Sequence, residues 1–290
     1  MSQVTARSLT VLAPGPFTTI QDLGRPGLAR WGVGRSGAAD RGAAALANRL
    51  VANPEGAAVL ELTMGGLVVR ADAALTVALT GAETGCLLER AGVPFGSPLA
   101  MPAGSVLRLG SPLVGLRTYL AVRGGIDVPP VLGSRSYDLL AGLGPPPLRA
   151  GDVLPVGADP KGWPKVDLAP RGVPASSPVR LTGWAGPHLN AVEAGSVRRL
   201  ADADWSVSAD SDRSGLRLDG PQLARRAVGE WPPEGLVRGA IQLPPSGQPV
   251  VMLADHPVTG GYPAIGALDD ASCDRAAQLR PGDRVRLLLG

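Results

Sequence analysis

Polar residues that follow an apolar segment in the second half of the chain are the first candidates for chemistry. The apolar segment Val250–Leu253 is a predicted strand, and Asp255 and His256 come directly after it. Thr259 and the pair Gly260–Gly261 follow within a few residues. Asp255 or His256 can accept a proton, and the amides of consecutive glycines can converge on an anion. A turn with a capped strand end explains the same residues, so both interpretations stay open.

Arginines occur in two other polar segments. Arg25 and Arg35 lie in a glycine-rich segment, Thr18–Gly37, that we expect to form a loop. Asp212 and Arg213 are neighbours on a second predicted loop, just before a strand. Guanidinium groups recognise carboxylates and phosphates through paired hydrogen bonds. The alternatives are a surface loop with structural ion pairs in the first case, and mutual orientation of Asp212 and Arg213 in the second.

Familiar catalytic signatures are missing from the sequence. It contains no GxxxxGK[ST] phosphate loop, no GxSxG nucleophile elbow and no HExxH motif. His188 and His256 are the only histidines, which is too few for a histidine-rich metal site. We therefore expect no metal and no self-contained catalytic apparatus.

The composition favours a chain of short strands. Apolar residues make up 44% but aromatic residues only 3%, and the 40 glycines and 29 prolines interrupt the apolar runs. Short apolar runs between turn-forming residues are typical of β-sandwiches and barrels. The predicted strands are Leu9–Leu12, Val59–Thr63, Leu67–Arg70, Leu75–Thr80, Cys86–Arg90, Ser105–Leu109, Tyr119–Val122 and Val179–Thr182.

One segment has helical periodicity. Apolar residues from Ala39 to Leu50 repeat at the spacing of one helix face. Ser36 is a possible N-cap, and Asn53–Pro54 ends the helix. Residues 158–178 are rich in proline and glycine and are the predicted linker. We therefore expect a first domain over residues 1–157 and a second over residues 179–290.

Charge and cysteine usage exclude several classes of function. The net charge is +3, but Arg198–Arg199 and Arg225–Arg226 are the only adjacent basic pairs, and no basic run contains interleaved aromatic residues. A nucleic-acid groove is therefore not expected. Cys86 and Cys273 form no CxxC motif, and we expect two buried, reduced thiols. Residues 1–10 have no signal-peptide pattern and no apolar run is long enough to cross a membrane, so we expect a cytoplasmic protein.

Several motifs, taken in order, resemble one family. They are Thr-Ile-Gln-Asp-Leu-Gly-Arg, the Ser-Gly-Ala…Asp…Ala-Asn helix, Ser-Asp-Arg, Gly-Ala-Ile-Gln-Leu-Pro-Pro-Ser-Gly-Gln-Pro and Thr-Gly-Gly-Tyr-Pro. Together they resemble the biotin-dependent carboxyltransferase-like proteins, which include the C subunit of 5-oxoprolinase, the KipI antagonist and allophanate hydrolase subunit 2. The similarity extends from Leu9 to about Leu288.

The resemblance implies a mainly β fold with two cyclophilin-like β-barrel domains and a few short helices. It implies a partner of related fold, the B-type (KipI-like) protein, and a third subunit. Together the three would open 5-oxo-L-proline to L-glutamate at the expense of ATP. ATP is then used by the complex, and this chain is inactive alone. The chain has no Met-Lys dipeptide, so we expect no covalently attached biotin.

The resemblance also implies the site residues. The expected catalytic residues are Asp255, Arg213, Gly260 and Gly261. The residues expected to bind a small cyclic amide are Gln21, Asp22, Arg25, Asp40, Asn48, Asp212, Gln242, Thr259 and Tyr262. In the resulting hypothesis, Arg25 and Arg213 hold a carboxylate or phosphate, Gly260–Gly261 stabilise the amide oxygen, and Asp255 orients or deprotonates.

Two positions depart from the family pattern. Ser214 stands where methionine is expected after Ser-Asp-Arg, and Leu216 where an aromatic residue is frequent. Both changes alter residues expected near the pocket, so the identity of the substrate stays open. The alternatives are a regulatory protein that antagonises a kinase inhibitor, and a carboxyltransferase subunit that acts on allophanate or urea-like amides.

Overall fold

The structure, a computed structural model, describes residues 7–165, 167–169, 177–226 and 231–290. Within these residues the chain is mainly β, with three α-helices and many short strands. The chain divides into two compact units. Unit 1 contains Met1–Arg25, Asp40–Asp138 and Gly142–Gly172, and unit 2 contains Pro26–Ala39, Leu139–Ala141 and Val173–Gly290. The mainly β fold predicted from the composition is confirmed.

Unit 1 consists of two sheets and one α-helix. The six-stranded sheet has the order β11-β1-β4-β9-β6-β7, and the five-stranded sheet has the order β2-β3-β10-β5-β8. The strands are β1 (Ser8–Ala13), β2 (Phe17–Gln21), β3 (Val59–Thr63), β4 (Val68–Ala71), β5 (Leu75–Gly81), β6 (Cys86–Leu88), β7 (Ala91–Gly92), β8 (Leu99–Met101), β9 (Val106–Leu109), β10 (Arg117–Val122) and β11 (Val153–Pro155).

One hydrophobic core joins the two sheets of unit 1. Leu9 and Leu107 from the six-stranded sheet and Leu60 and Leu120 from the five-stranded sheet are completely buried in it. All six residues of β10 are buried, because this strand lies between β3 and β5 in the sheet. The predicted strands of the first half all coincide with observed strands, to within one or two residues at each end.

The predicted loop Thr18–Gly37 is wrong at its start. Phe17–Gln21 is a strand, β2, that pairs in antiparallel register with β3. Thr18, Thr19 and Ile20 are β-branched and buried, and such residues pack well on a pleated surface. The nearby glycines and prolines conceal this short strand in the sequence.

The predicted helix is α1 (Arg41–Leu50), and its predicted cap is wrong. Asp40, rather than Ser36, is the N-cap, because the Asp40 carboxylate accepts a hydrogen bond from the Ala43 amide at 2.8 Å. Of the predicted apolar stripe Ala39, Ala43, Leu46, Ala47 and Leu50, the helix buries Ala47 and Leu50, while Ala43 and Leu46 are only partly buried. The buried face instead includes Ala44, Ala45 and Asn48.

Unit 2 contains a closed seven-stranded barrel with the order β12-β19-β16-β17-β14-β13-β20. The parallel pair β12–β20 closes the barrel, and Trp205 and Ile241 are completely buried in its core. Its strands are β12 (Val179–Ala185), β13 (Trp205–Val207), β14 (Gly215–Asp219), β16 (Ala240–Gln242), β17 (Val250–Met252), β19 (Ala264–Leu268) and β20 (Arg284–Leu289). Two helices, α2 (Ala194–Asp202) and α3 (Asp270–Ala276), accompany the barrel.

A separate two-stranded ribbon belongs to unit 2. It pairs β15 (Glu234–Gly235) with β18 (Thr259–Gly260), so that Glu234 faces Gly260 in the ladder. The ribbon carries the start of the Thr-Gly-Gly segment.

Both cysteines are free and buried, as predicted. Across the described ranges, no helix is long and apolar enough to cross a membrane, and no cluster of three metal-ligating side chains occurs. The domain boundaries at 157/158 and 178/179 stay a prediction. Residues 166 and 170–176 of the expected linker, and residues 1–6 of the segment checked for a signal peptide, lie outside the described residues.

Candidate functional site

Arg213 and Asp255 form a buried ion pair in unit 2. Arg213 Nε donates to Asp255 Oδ2 at 2.7 Å, and Arg213 Nη2 donates to Asp255 Oδ1 at 3.2 Å. Arg213 is 2% exposed and Asp255 is 1% exposed. Paired hydrogen bonds of this kind offset much of the cost of burying both charges. Arg213 and Asp255, both predicted as catalytic residues, are therefore in contact, but they are buried inside unit 2.

The same ion pair holds two distant segments of unit 2. Asp255 Oδ1 accepts from Ser36 Oγ at 2.6 Å, and Asp255 Oδ2 accepts from the Leu139 amide at 3.0 Å. Arg213 Nη2 donates to the Gly37 carbonyl at 2.7 Å. Ser36 is completely buried and has a φ of 55°, a conformation that costs a non-glycine residue energy. These contacts make Arg213–Asp255 a brace for segments 36–37 and 139.

Asp212 and His256, the sequence neighbours of this pair, have contacts of their own. Asp212 is exposed, and its Oδ1 accepts from the Ser214 and Gly215 amides at 2.7 and 3.1 Å. It thus shapes the turn that leads into β14. His256 Nδ1 lies 2.7 Å from the Pro257 carbonyl.

The Thr-Gly-Gly segment lies on a more accessible surface. Thr259 and Gly261 are exposed, and Tyr262 is 44% exposed. Gln242 is buried, and its Nε2 donates to the Tyr262 carbonyl at 2.9 Å. Neither Gly260 nor Gly261 has a φ in the left-handed region. The predicted role of their amides on an oxyanion stays a prediction.

A side chain at Gly260 would displace the ends of two neighbouring side chains. A Cβ atom there would lie 2.5 Å from Gln242 Nε2 and 2.8 Å from Leu236 Cδ1. A Cβ atom on Gly261 would meet nothing closer than the Trp231 carbonyl oxygen, at 3.9 Å. The absence of a side chain at Gly260 lets the ribbon approach Gln242, whereas a side chain at Gly261 would meet no close neighbour.

His188, Trp231 and Glu234 lie beside this segment and were missed as site residues. His188 Nδ1 accepts from the Ala264 amide at 3.3 Å, and His188 Nε2 lies 3.4 Å from Glu234 Oε1. The rings of His188 and Trp231 meet edge to face, with centroids 4.6 Å apart. The Trp231 Nε1 donor is buried and has no hydrogen-bond partner in the described structure. The one feature of the sequence that could have pointed to His188 is that the chain has only two histidines.

Unit 1 has a polar centre around Asp22. Its Oδ1 accepts from the Ser134 and Ser136 hydroxyls at 2.6 Å each and from the Gly24 amide at 2.7 Å. Its Oδ2 accepts from the Arg135 amide at 2.6 Å. A carboxylate with four donors organises the turn that contains residues 134–136.

Arg25 and Gln21 bind the same stretch of backbone. Arg25 Nη2 donates to the Ser136 carbonyl at 2.5 Å, and Gln21 Nε2 donates to the Tyr137 carbonyl at 2.9 Å. Arg25 is 1% exposed and Gln21 is completely buried. Arg25 Nε and Nη1 and Gln21 Oε1 have no partner in the described part of the chain. Gln21, Asp22 and Arg25 thus bind the same turn, and Gln21 and Arg25 are buried.

Asp40 and Asn48 support α1. The Asp40 amide donates to Tyr119 Oη at 2.8 Å, and Tyr119 Oη donates to Glu61 Oε2 at 2.8 Å. Burial, reinforced by the charges of Glu61 and Asp40, raises the pKa of Tyr119 well above its usual range, so the phenol keeps its proton. Asn48 Nδ2 donates to the Ala57 carbonyl at 2.8 Å, which fixes the turn after the helix.

The predicted site residues therefore form separate groups. Gln21, Asp22 and Arg25 are together in unit 1, where Asp40 and Asn48 belong to α1. In unit 2, Arg213 and Asp255 form the brace, while Gln242, Thr259, Gly260, Gly261 and Tyr262 lie at or beside the ribbon. We call Gln242, Thr259, Gly260, Gly261 and Tyr262 the ribbon group. Most of the solvent-accessible site residues belong to it.

Most of the chain matches one known protein family. Residues 31–288 match the carboxyltransferase domain, subdomain A and B. The chain belongs to this carboxyltransferase-domain family. The resemblance seen in the motifs is confirmed.

Several members of this family are parts of enzymes. The chain is 37% identical to the C subunit of 5-oxoprolinase from Escherichia coli (strain K12), over 97% of this chain and 90% of that protein. It is 32% identical to the C subunit of 5-oxoprolinase from Haemophilus influenzae, over 92% and 86% respectively. It is 33% identical to urea amidolyase of Lachancea kluyveri, over 96% of this chain but 17% of that protein.

Solved structures share the fold over almost the whole chain. The K. lactis urea amidolyase superposes with a TM-score of 0.92 at 29% identity, over 99% of this chain and 19% of that one. The protein TTHA0988 superposes with a TM-score of 0.88 at 36% identity. This chain covers 56% of the TTHA0988 chain, or about half its length.

Proposed function

We propose that this protein is the C subunit of an ATP-dependent 5-oxoprolinase that converts 5-oxo-L-proline to L-glutamate together with a B-type partner and a third subunit. The observation that carries the proposal is the similarity to the E. coli C subunit over 97% of this chain and 90% of the relative. Because the reaction consumes ATP, we expect it in the cytoplasm. We expect this chain to be inactive alone and to carry no covalent biotin.

The reaction breaks the lactam C–N bond. The oxygen of a water molecule ends in the new carboxylate, the nitrogen leaves as an amine and takes up a proton, and ATP hydrolysis drives the opening. ATP is a co-substrate of the complex. The chemistry required of the protein is recognition of a planar amide and a carboxylate and management of one proton.

The ribbon group fits these requirements better than the buried arginines do. Thr259 and Tyr262 present hydroxyl groups at an accessible surface, and Glu234 and His188 place a carboxylate and an imidazole beside them. Arg213 already holds a carboxylate, that of Asp255, and is 2% exposed. We therefore assign Arg213, Asp255, Asp22 and Arg25 to bracing the loops, and the ribbon group to contact with the substrate.

A second candidate is a urea-amidolyase type of reaction. It is supported by 33% identity to a urea amidolyase and by the TM-score of 0.92 with another. This chain covers only 17% and 19% of those proteins, against 90% of the E. coli C subunit. The coverage favours the 5-oxoprolinase assignment.

The direct test is reconstitution of the chain with its B-type partner and the third subunit. ATP hydrolysis and glutamate formation are measured with 5-oxoproline, with urea or allophanate, and with no substrate. Turnover that requires 5-oxoproline and this chain supports the proposal. Turnover with urea-like amides alone supports the second candidate. A tight complex with no turnover on any amide contradicts both and supports the regulatory alternative.

A further inference from the structure

Two carboxylates of unit 2 lie next to the Thr-Gly-Gly segment, one in the sequence and one across the ribbon. The side chain of Asp255 is completely buried and is bound to Arg213 at 2.7 Å. The side chain of Glu234 is 44% exposed, and Glu234 pairs with Gly260 in the ribbon. A carboxylate that acts as a base must reach the proton that it accepts. Glu234 meets this requirement, and Asp255, the base predicted from the sequence, does not.

A hydrogen bond determines which nitrogen of the His188 ring carries the proton. The Ala264 amide donates to His188 Nδ1 at 3.3 Å, so the proton of the neutral ring is on Nε2. Nε2 lies 3.4 Å from Glu234 Oε1. His188 therefore presents a donor to the carboxylate and is not itself the base.

The backbone at His188 is held closely against β19. The His188 amide donates to the Ala264 carbonyl at 3.1 Å, and the Gly186 amide donates to the Ile265 carbonyl at 2.9 Å. A Cβ atom on Gly186 would lie 2.4 Å from the Ala264 carbonyl oxygen, so this close approach depends on glycine. The Trp231 ring meets the imidazole edge to face. The imidazole is thus positioned by its own backbone and by a neighbouring ring.

The second oxygen of Glu234 is available on the face of the ribbon that Gln242 approaches. In the part of the chain that the structure describes, Glu234 Oε2 has no hydrogen bond and no ion pair. Directly opposed residues of an antiparallel ladder have their Cβ atoms on the same face. Glu234 therefore shares a face with the Cβ position of Gly260, which lies 2.5 Å from Gln242 Nε2. A proton acceptor and an amide of the ribbon group thus lie on one face.

We propose that Glu234 is the catalytic residue that transfers the proton in lactam opening, and that His188 is its positioning residue. This inference rests on the proposed function. Glu234 takes a proton from water as the water oxygen bonds to the lactam carbonyl carbon and the carbonyl π electrons move to the carbonyl oxygen. When that electron pair returns, the C–N bond breaks, its electrons stay on nitrogen, and Glu234 gives the proton to the nitrogen. The carboxylate is regenerated, and the ATP that the complex consumes supplies the driving force.

Turnover of 5-oxoproline by the reconstituted complex, measured as glutamate formed, tests the proposal. We expect Glu234→Ala to lower kcat about a hundredfold or more, with little change in KM. Sodium formate supplies a small carboxylate, and we expect it to restore part of the lost kcat. Glu193→Ala is the matched control, because it removes an exposed carboxylate of unit 2 that makes no side-chain capping bond. The control is expected to keep the original kcat and to show no response to formate.

Further variants separate positioning from folding. Glu234→Gln keeps the size of the side chain and is expected to lose as much kcat as Glu234→Ala. His188→Gln keeps an N–H group that can donate to Glu234, whereas His188→Ala removes it. We expect kcat to fall about tenfold in His188→Ala and to stay close to the original in His188→Gln. Thermal unfolding of each variant verifies that it is folded.

Several results would overturn the proposal. They are an original kcat in a folded Glu234→Ala complex, a loss of kcat that formate does not relieve, an equal response of the control to formate, and equal losses in the two His188 variants. If the original complex opens urea or allophanate but not 5-oxoproline, the proposed function fails. The same variants then test Glu234 on that amide, since the step requires only an amide and water. A complex that opens no amide removes both the proposed function and this role of Glu234.

Discussion

The polar centres of the two units use an arginine and an aspartate in different ways. In unit 2, Arg213 and Asp255 bind each other, and further bonds from the pair hold residues 36, 37 and 139. In unit 1, Asp22 is satisfied by hydroxyl and amide donors, and Arg25 makes a single bond to a carbonyl. The first centre is a closed ion pair, while the second keeps a buried cation with two unpartnered nitrogens within the described structure. An arginine in a motif is therefore not by itself a ligand-binding group.

Removing one partner of the closed pair should have the largest effect. Arg213→Met leaves the Asp255 carboxylate buried without its cation, and we expect a loss of about 3–5 kcal/mol in the free energy of unfolding. Arg25→Met removes a cation that has few partners, and we expect a loss of about 1 kcal/mol. Urea unfolding followed by tryptophan fluorescence measures both. Equal losses would mean that the two centres do not differ in the way described.

Asp22→Asn should weaken the centre of unit 1 by about 2 kcal/mol. The carboxylate accepts four hydrogen bonds, and the amide replaces one acceptor oxygen by a donor that faces other donors. Asp212→Asn is the matched control, since Asp212 is exposed and accepts from backbone amides only, so we expect a loss of about 0.5 kcal/mol. The same unfolding experiment applies. A larger loss for Asp212→Asn would contradict the assignment of the unit 1 centre to Asp22.

The two glycines of the ribbon segment provide an internal comparison. In Gly260→Ala the new Cβ would overlap Gln242 and Leu236, and we expect a loss of about 1–3 kcal/mol. Gly261→Ala meets no close neighbour and should change stability by less than about 0.5 kcal/mol. Thermal unfolding of the two variants distinguishes them. If Gly261→Ala were the more damaging change, the ribbon would not pack as described.

A smaller effect is expected at the N-cap of α3. The hydrogen bond from Thr182 and, against the opposing effect of burial, the bonds from Ser272 lower the pKa of Asp269 below its usual range. Its folded pKa is lower than its unfolded pKa, so its contribution is present above the unfolded value near pH 4 and is lost as the pH falls through the folded value. Asp269→Asn should cost about 1 kcal/mol at neutral pH and progressively less in acid. A cost that does not shrink below pH 4 would contradict this account.

The strands and the helix could be predicted because their signals are local. The residues that form the apolar stripe of α1 lie within a few positions of one another, and the same is true within each apolar run of β3, β5 and β17. Strand β2 was missed since only five residues separate neighbouring turn formers.

The site was harder to predict because its contacts are distant in sequence. Asp255 looks like the partner of His256, its neighbour. Its side chain instead meets residues 42, 116 and 219 positions away. Likewise, Glu234 faces Gly260 only because the ribbon pairs them. Sequence order identifies the motif residues, but it does not reveal which of them are buried.

Turnover of 5-oxoproline by the reconstituted complex, with Arg25→Met compared with Thr259→Val, tests the central claim most directly. If the buried arginines brace the loops and the ribbon contacts the substrate, Arg25→Met keeps most of its turnover and an unchanged KM. Thr259→Val, equally folded, should lose about tenfold or more in kcat/KM. A folded Arg25→Met complex with a greatly raised KM, beside a fully active Thr259→Val complex, would contradict the account and make Arg25 the group that holds the substrate carboxylate.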